Sequence, residues 1–79
     1  MDKREQTKRW VEEVLNSFGI PFSDLKWTDI PDGSCMVDFI SNGRPKNHGF
    51  TPAEFELIAD GNETFCKKEY SVLLDLIRQ

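Results

Sequence analysis

Residues 25–50 read LKWTDIPDGSCMVDFISNGRPKNHGF, and the two turns inside that stretch decide the fold. Pro31-Asp32-Gly33 suits a type I turn followed by a glycine in the left-handed region, which makes a three-residue hairpin loop. Asn42-Gly43 suits a two-residue hairpin loop, whose central residues both take positive φ. Three short strands result, from Leu25 to Ile30, from Cys35 to Ser41 and from about Arg44 to Phe50. Loop length sets the register, so the first hairpin pairs Leu25 with Phe39, Trp27 with Val37 and Asp29 with Cys35. The second places Cys35, Val37 and Phe39 opposite Phe50, His48 and Lys46. Both hairpins turn Val37 and Phe39 to one buried face, and a two-residue reading of the first loop would flip Trp27 outward. Pro45 cannot donate to a ladder, which makes the third strand an edge.

Helical patterns flank the strands. Trp10, Val11, Val14, Leu15 and Phe18 recur at helical spacing and form one apolar stripe. Asp2 and Glu5 have the spacing of a capping box, and Gly19 stands where a C-terminal cap belongs. The polar side of that helix carries Glu5–Arg9, Lys8–Glu12 and Arg9–Glu13 at i,i+4 spacing. A second helix starts at Thr51-Pro52-Ala53-Glu54, a capping box with proline at the first helical position, and Phe50 and Phe55 form a hydrophobic staple across it. Phe55, Ile58 and Ala59 face inward and Gly61 ends the helix. A third helix runs from about Thr64 to Arg78 with a stripe of Cys66, Tyr70, Leu73, Leu74 and Ile77. The order is α-β-β-β-α-α, an α+β fold with a three-stranded antiparallel sheet and helices packed on one face. Its core is expected to hold Val14, Leu15, Phe18, Trp27, Val37, Phe39, Phe55, Ile58, Leu73 and Ile77.

With 79 residues, 38% of them hydrophobic, residues 1–79 make one small domain with one core. Such a core supplies about 3–5 kcal/mol, so a dimer or a bound partner would add to stability. Fourteen acidic residues against ten Lys and Arg give a net charge of −4. Residues 21–60 carry all of that excess, with Lys26, Arg44 and Lys46 against seven acids. No run of about 18 apolar residues exists to span a membrane. Met1-Asp2-Lys3-Arg4-Glu5 is charged and leads into an amphipathic pattern, unlike a secretory signal, so the expected location is the cytoplasm.

The residues that could carry chemistry do not converge. Cys35 and Cys66 lack a CxxC spacing and read as reduced thiols packed as small hydrophobes. Together with the single His48 they fall short of a closed zinc site. Cys35 and His48 lie on neighbouring strands, yet the register puts the thiol on the core face, where an apolar setting disfavours the thiolate. Asp29 and Asp38 fall on opposite faces of the sheet and cannot divide the roles of acid and base. No phosphate loop, metal-ligand helix or nucleophile elbow is present. The expectation is a protein that is not an enzyme, with no catalytic, cofactor-binding or metal-binding residues and no cofactor.

The αβββα order, with Leu15-Asn16-Ser17-Phe18-Gly19-Ile20-Pro21 before the first strand, resembles the double-stranded RNA-binding domain over residues up to about Asp60. That resemblance implies an RNA-binding module that grips phosphates with basic residues at the start of its second helix. Here that start reads Thr51-Pro52-Ala53-Glu54-Phe55-Glu56, acidic where the domain is basic, and a third helix follows. Phosphate contacts dominate affinity for nucleic acid, so a nucleic-acid partner is disfavoured. The remaining basic groups are Lys3, Arg4, Lys8 and Arg9 on the first helix and Arg44 and Lys46 by the second turn, and the alternative function is a double-stranded-RNA-binding-like module that keeps its phosphate grip on the first helix.

Alternation places Lys26, Thr28, Ile30, Met36, Asp38 and Ile40 on the sheet face turned away from the helices. Three large apolar residues with charged neighbours exceed what a solvated face needs and mark an interaction surface. The edge of the third strand near Arg44 and Lys46 is the other contact option. The expected function is that of a non-catalytic interaction domain binding a protein through Ile30, Met36, Asp38, Ile40, Arg44 and Lys46. Self-association as a homodimer is compatible with this reading, and no membrane partner is expected. Size and compactness suit a small bacterial or bacteriophage accessory protein that modulates a larger partner.

Overall fold

The computed structural model describes residues 2–79. Its elements are α1 (Lys3–Ser17), β1 (Ser23–Asp29), β2 (Cys35–Ser41), β3 (Arg44–Phe50), α2 (Pro52–Ala59) and α3 (Glu63–Arg78). The sheet is antiparallel in the order β1-β2-β3, so Pro45 does lie on an edge strand. The α-β-β-β-α-α order and the α+β class match the reading of the two turns. Along β2, Cys35, Val37, Phe39 and Ser41 are buried, Met36 and Asp38 are half-buried, and Ile40 is exposed. That alternation marks the inner face against which the helices pack. The core joins Val11, Val14 and Leu15 of α1 to Val37, Phe39 and Phe50 of the sheet, Phe55 and Ile58 of α2, and Leu73 and Ile77 of α3. Phe18 and Trp27 pack against it half-buried.

Both turns adopt the conformations their residues favour. Asn42 and Gly43 have φ of 55° and 72°, as a type I′ turn requires. The Ile30 N–H donates to the Ser34 carbonyl at 2.9 Å, the Gly33 N–H donates back to Ile30, and Gly33 takes φ of 98°. The β2–β3 register runs Cys35↔Phe50, Val37↔His48 and Phe39↔Lys46. Trp27↔Val37 and Asp29↔Cys35 also form as expected.

The expected Leu25↔Phe39 pair is displaced by a bulge. Ser23 pairs with Ile40 and Lys26 with Asp38, so Asp24 and Leu25 together oppose Phe39, with Asp24 at φ 58°. The extra residue reverses alternation at the start of β1. Phe22 can then meet Phe39 edge-on at 5.8 Å while Leu25 also packs on the core. The strand begins at Ser23 as a result.

Helix ends carry the signals of their residues, with two changes. Thr51 and Glu54 form the reciprocal capping box of α2. Asp2 caps α1 by accepting from the Arg4 N–H at 2.8 Å, whereas Glu5 lies 3.5 Å from Lys8 instead of completing a box. Gly61 at φ 68° ends α2 in a Schellman arrangement: Asn62 N–H reaches Leu57 and Gly61 N–H reaches Ile58. The Asn62 side chain then caps α3 by accepting from Phe65 N–H, which starts that helix one residue before Thr64.

The stripe of α3 is rotated from its expected setting. Glu69, Leu73 and Ile77 are its buried line, while Tyr70 is 45% exposed and meets Phe18 edge-on at 5.0 Å. A glutamate can take the central position because His48 on β3 supplies its partner.

Candidate protein-docking face

The register defines the outer face residue by residue. Ser23, Lys26 and Thr28 come from β1, Met36, Asp38 and Ile40 from β2, and Pro45, Asn47 and Gly49 from β3. Ile40 stands between Ser23 and Pro45 and is 37% exposed. Met36 stands between Thr28 and Gly49, and Ile30 is half-buried where β1 enters the turn. Asp38 lies between Lys26 and Asn47, and neither Lys26 nor Asp38 joins any ion pair among the described residues. The shortest dimension of the molecule, 17 Å, is that of one helical layer on one sheet. This face is the uncovered side.

Arg44 and Lys46 do not share that face. Arg44 is exposed at the β2–β3 turn. Lys46 points inward, is 7% exposed, and donates from Nζ to the Gln79 main-chain oxygen at 2.7 Å. Neighbours on the same turn act alongside it. Ser41 Oγ donates to the Ile77 carbonyl at 2.7 Å, and Asn42 Nδ2 donates to Arg78 and Gln79. The turn thus satisfies the carbonyls that the end of α3 leaves without helical donors, with a cation at the negative end of the helix. The six expected partner-binding residues therefore divide into an outer-face group, Ile30, Met36, Asp38 and Ile40, and a turn group, Arg44 and Lys46. Alternation alone located Lys46, since it shares the inward phase of His48 and Phe50.

The His48–Glu69 contact escaped the sequence reading. Nε2 of His48 lies 3.0 Å from Oε1 of Glu69, whose side chain is 5% exposed, and the imidazole meets Phe50 edge-on at 4.8 Å. A charged residue at the centre of an otherwise apolar helical stripe was the available signal. The histidine serves this contact, and its strand partner is Val37 rather than Cys35. Burial pushes the Cys35 thiol above its ordinary pKa, and Cys66 likewise. Both cysteines are free.

The basic side of α1 is directed to acids. Lys3 pairs with Glu56, Arg4 lies 3.6 Å from Asp29, and Lys8 lies 3.2 Å from Asp29. Burial would lower the Lys8 pKa, but the hydrogen bond and charge of Asp29, with Glu5, outweigh it and hold the ammonium above its ordinary value. The expected Lys8–Glu12 pair is replaced because Glu12 accepts from Trp27 Nε1 at 2.9 Å. A half-buried indole N–H needs an acceptor, and Glu12 is within its reach. Among the described residues no group of three His, Cys, Asp or Glu side chains is placed to hold a metal ion. Among the described residues no helix is long and apolar enough to cross a membrane either.

No family model matches the chain, and no curated protein or solved structure does either.

Proposed function

We propose that this is a small, non-catalytic interaction domain of the cytoplasm that docks a protein across the outer face of its sheet. The observation that carries the reading is Ile40, exposed on the central strand of a face that no helix covers, with Met36 on the same strand face beyond Asp38. Buried apolar anchors supply most interface energy, and polar neighbours such as Thr28, Asn47 and the Asp38 between Met36 and Ile40 set orientation. The partner that fits is a protein with an apolar, weakly charged contact surface. The alternative of a duplex-RNA module is disfavoured by the acid partners of Lys3, Arg4 and Lys8 and by the acidic start of α2.

Photo-crosslinking from position 40, with position 67 on α3 as the control, tests the reading. A protein captured from position 40 alone, then purified, should bind the chain about tenfold or more weakly when Met36 and Ile40 are both replaced by Ser. Circular dichroism should show that variant folded. Unchanged affinity would place the site elsewhere. A shift of duplex RNA at low salt, abolished by Lys8→Glu with Arg9→Glu, would favour the nucleic-acid reading instead.

A further inference from the structure

We propose that Asn42-Gly43 is a self-modifying site, at which the Asn42 amide is converted to aspartate or isoaspartate once the end of α3 releases it. Asn42 alone among the four asparagines is followed by glycine; Asn16, Asn47 and Asn62 precede Ser17, His48 and Glu63. The following residue matters because its backbone nitrogen is the nucleophile, and glycine has no side chain to shield it. Asn42 and Gly43 are both exposed. They lie between the paired Ser41 and Arg44, so the Gly43 N–H stands outside the β2–β3 ladder.

The reaction needs water and no other reagent. The Gly43 nitrogen attacks Cγ of Asn42, a new C–N bond forms, and the Cγ–Nδ2 bond breaks. Nδ2 leaves as ammonia and takes the Gly43 amide proton with it. Water then opens the cyclic imide. Opening at Cγ gives aspartate. Opening at the main-chain carbonyl of Asn42 gives isoaspartate, in which the backbone runs through the former side chain.

Two features of the fold hold this chemistry off. Ring closure requires Cβ of Asn42 and the Gly43 nitrogen on the same side of the Cα–C bond. The φ values of 55° and 72° are those of a type I′ turn, whose first central residue has ψ of about +30°. That ψ leaves the two atoms nearly opposite each other. Nδ2 also donates to the main-chain oxygens of Arg78 and Gln79 at 3.2 and 3.1 Å, which ties the amide to the last turn of α3. The turn must open and the amide must leave α3 before the ring can form. Element ends open at lower free energy than a core, so the reaction follows local opening of this corner rather than unfolding of the chain.

The product cannot restore the contact. Aspartate has no N–H to give to Arg78 and Gln79, and it sets a carboxylate at the negative end of the helix. Isoaspartate adds a backbone carbon to a two-residue loop whose length fixes the β2–β3 register. Lys46, which donates to Gln79 at 2.7 Å, is then drawn to the new carboxylate as well. Conversion therefore loosens the last turn of α3 in one direction only.

Incubation of the full chain in mildly alkaline buffer, followed by peptide mass spectrometry, tests the proposal. Asn42 should convert before Asn16, Asn47 and Asn62, and about tenfold or more slowly in the folded chain than in urea. Lys46→Met removes the neighbouring donor and should speed conversion of the folded chain about fivefold or more. Ile58→Val loosens the core at α2 instead and should leave that rate within about twofold. Equal rates in the folded chain and in urea overturn the proposal, as does a folded chain in which Asn42 lags behind another asparagine. No acceleration by Lys46→Met, or equal acceleration by Lys46→Met and Ile58→Val, overturns the gate at the end of α3. Hydrogen exchange of Asn42→Asp reads the consequence separately: faster exchange in the last turn of α3 is expected, and unchanged exchange there overturns the loosening.

Discussion

His48 Nε2 lies 3.0 Å from Glu69 Oε1, and this contact ties the edge strand β3 to the buried centre of α3. The carboxylate side chain is 5% exposed against 26% for the imidazole, so it is Glu69 that solvent cannot reach if its partner is lost. Removing one partner is therefore worse than removing both. His48→Ala should destabilise the fold by about 2–4 kcal/mol by stranding a buried carboxylate. His48→Leu with Glu69→Leu should lie within about 1 kcal/mol of the parent. Urea unfolding of the two singles and the double closes the cycle. Additive losses would mean that the two side chains are uncoupled.

Lys46 and Asn42 cap the end of α3 from the β2–β3 turn. Lys46→Met keeps the buried stem and removes the donor, and should cost about 1–2 kcal/mol. Asn42→Gly preserves the positive φ of the turn and loses only the side-chain amide, at about 0.5–1 kcal/mol. Hydrogen exchange should show the loss as faster exchange in the last turn of α3, with the sheet amides little changed. Uniform loss of protection across the sheet would contradict a local cap.

Acid should act through the first hairpin loop. The Ser34 hydroxyl, and then the Ser34 N–H at 2.9 Å, donate to the Asp32 carboxylate and hold it below its ordinary pKa. Because the folded value is the lower one, the contribution is complete above the unfolded aspartate value of about 3.9. It is lost as pH falls through the folded value. Asp32→Asn keeps an acceptor but not the charge, so the parent should exceed it in stability near neutral pH, the gap closing in acid. Denaturant titrations at several pH values measure the gap. A gap that widens in acid would reverse the assignment.

Two thiols should differ in reach. Cys35 is fully buried opposite Phe50, whereas Cys66 is half-buried on α3, and burial raises both pKa values. A disulfide reagent should modify Cys66 in the native protein and Cys35 only through unfolding, with a rate that climbs with denaturant. Cys66→Ser should remove the native reaction. Equal rates at both sites in the native state would count against the burial of β2.

Local chemistry carried most of the fold. Asn42-Gly43 and Pro31-Asp32-Gly33 specify turns because left-handed backbone is costly for most side chains, and a turn of known length sets the register around it. Thr51 with Glu54 starts α2 by satisfying donors within four residues. Alternation along β2 then assigns both faces, which is why Met36, Asp38 and Ile40 could be drawn as an outer group from residues alone. Asp24 is the local exception. Aspartate tolerates the left-handed region without demanding it, and the bulge there is stabilised by Phe22 reaching Phe39.

Tertiary structure decided where the charged side chains go. Periodicity places Glu69 and Lys46 on inward phases, but a charge occupies such a position only if a partner is brought to it from far along the chain. His48 is 21 residues from Glu69, and Gln79 is 33 from Lys46. Lys8 turns to Asp29, and Glu12 to Trp27, once β1 lies beside α1. The sequence by itself determined the elements, their order, the two hairpin registers up to the bulge at Asp24 and the faces of β2 and β3, because those follow from backbone conformation and apolar spacing within a few residues. Which charges are buried, and hence which remain free on the outer sheet, was decided by long-range pairing, because desolvating a charge is compensated only by a partner within about 4 Å.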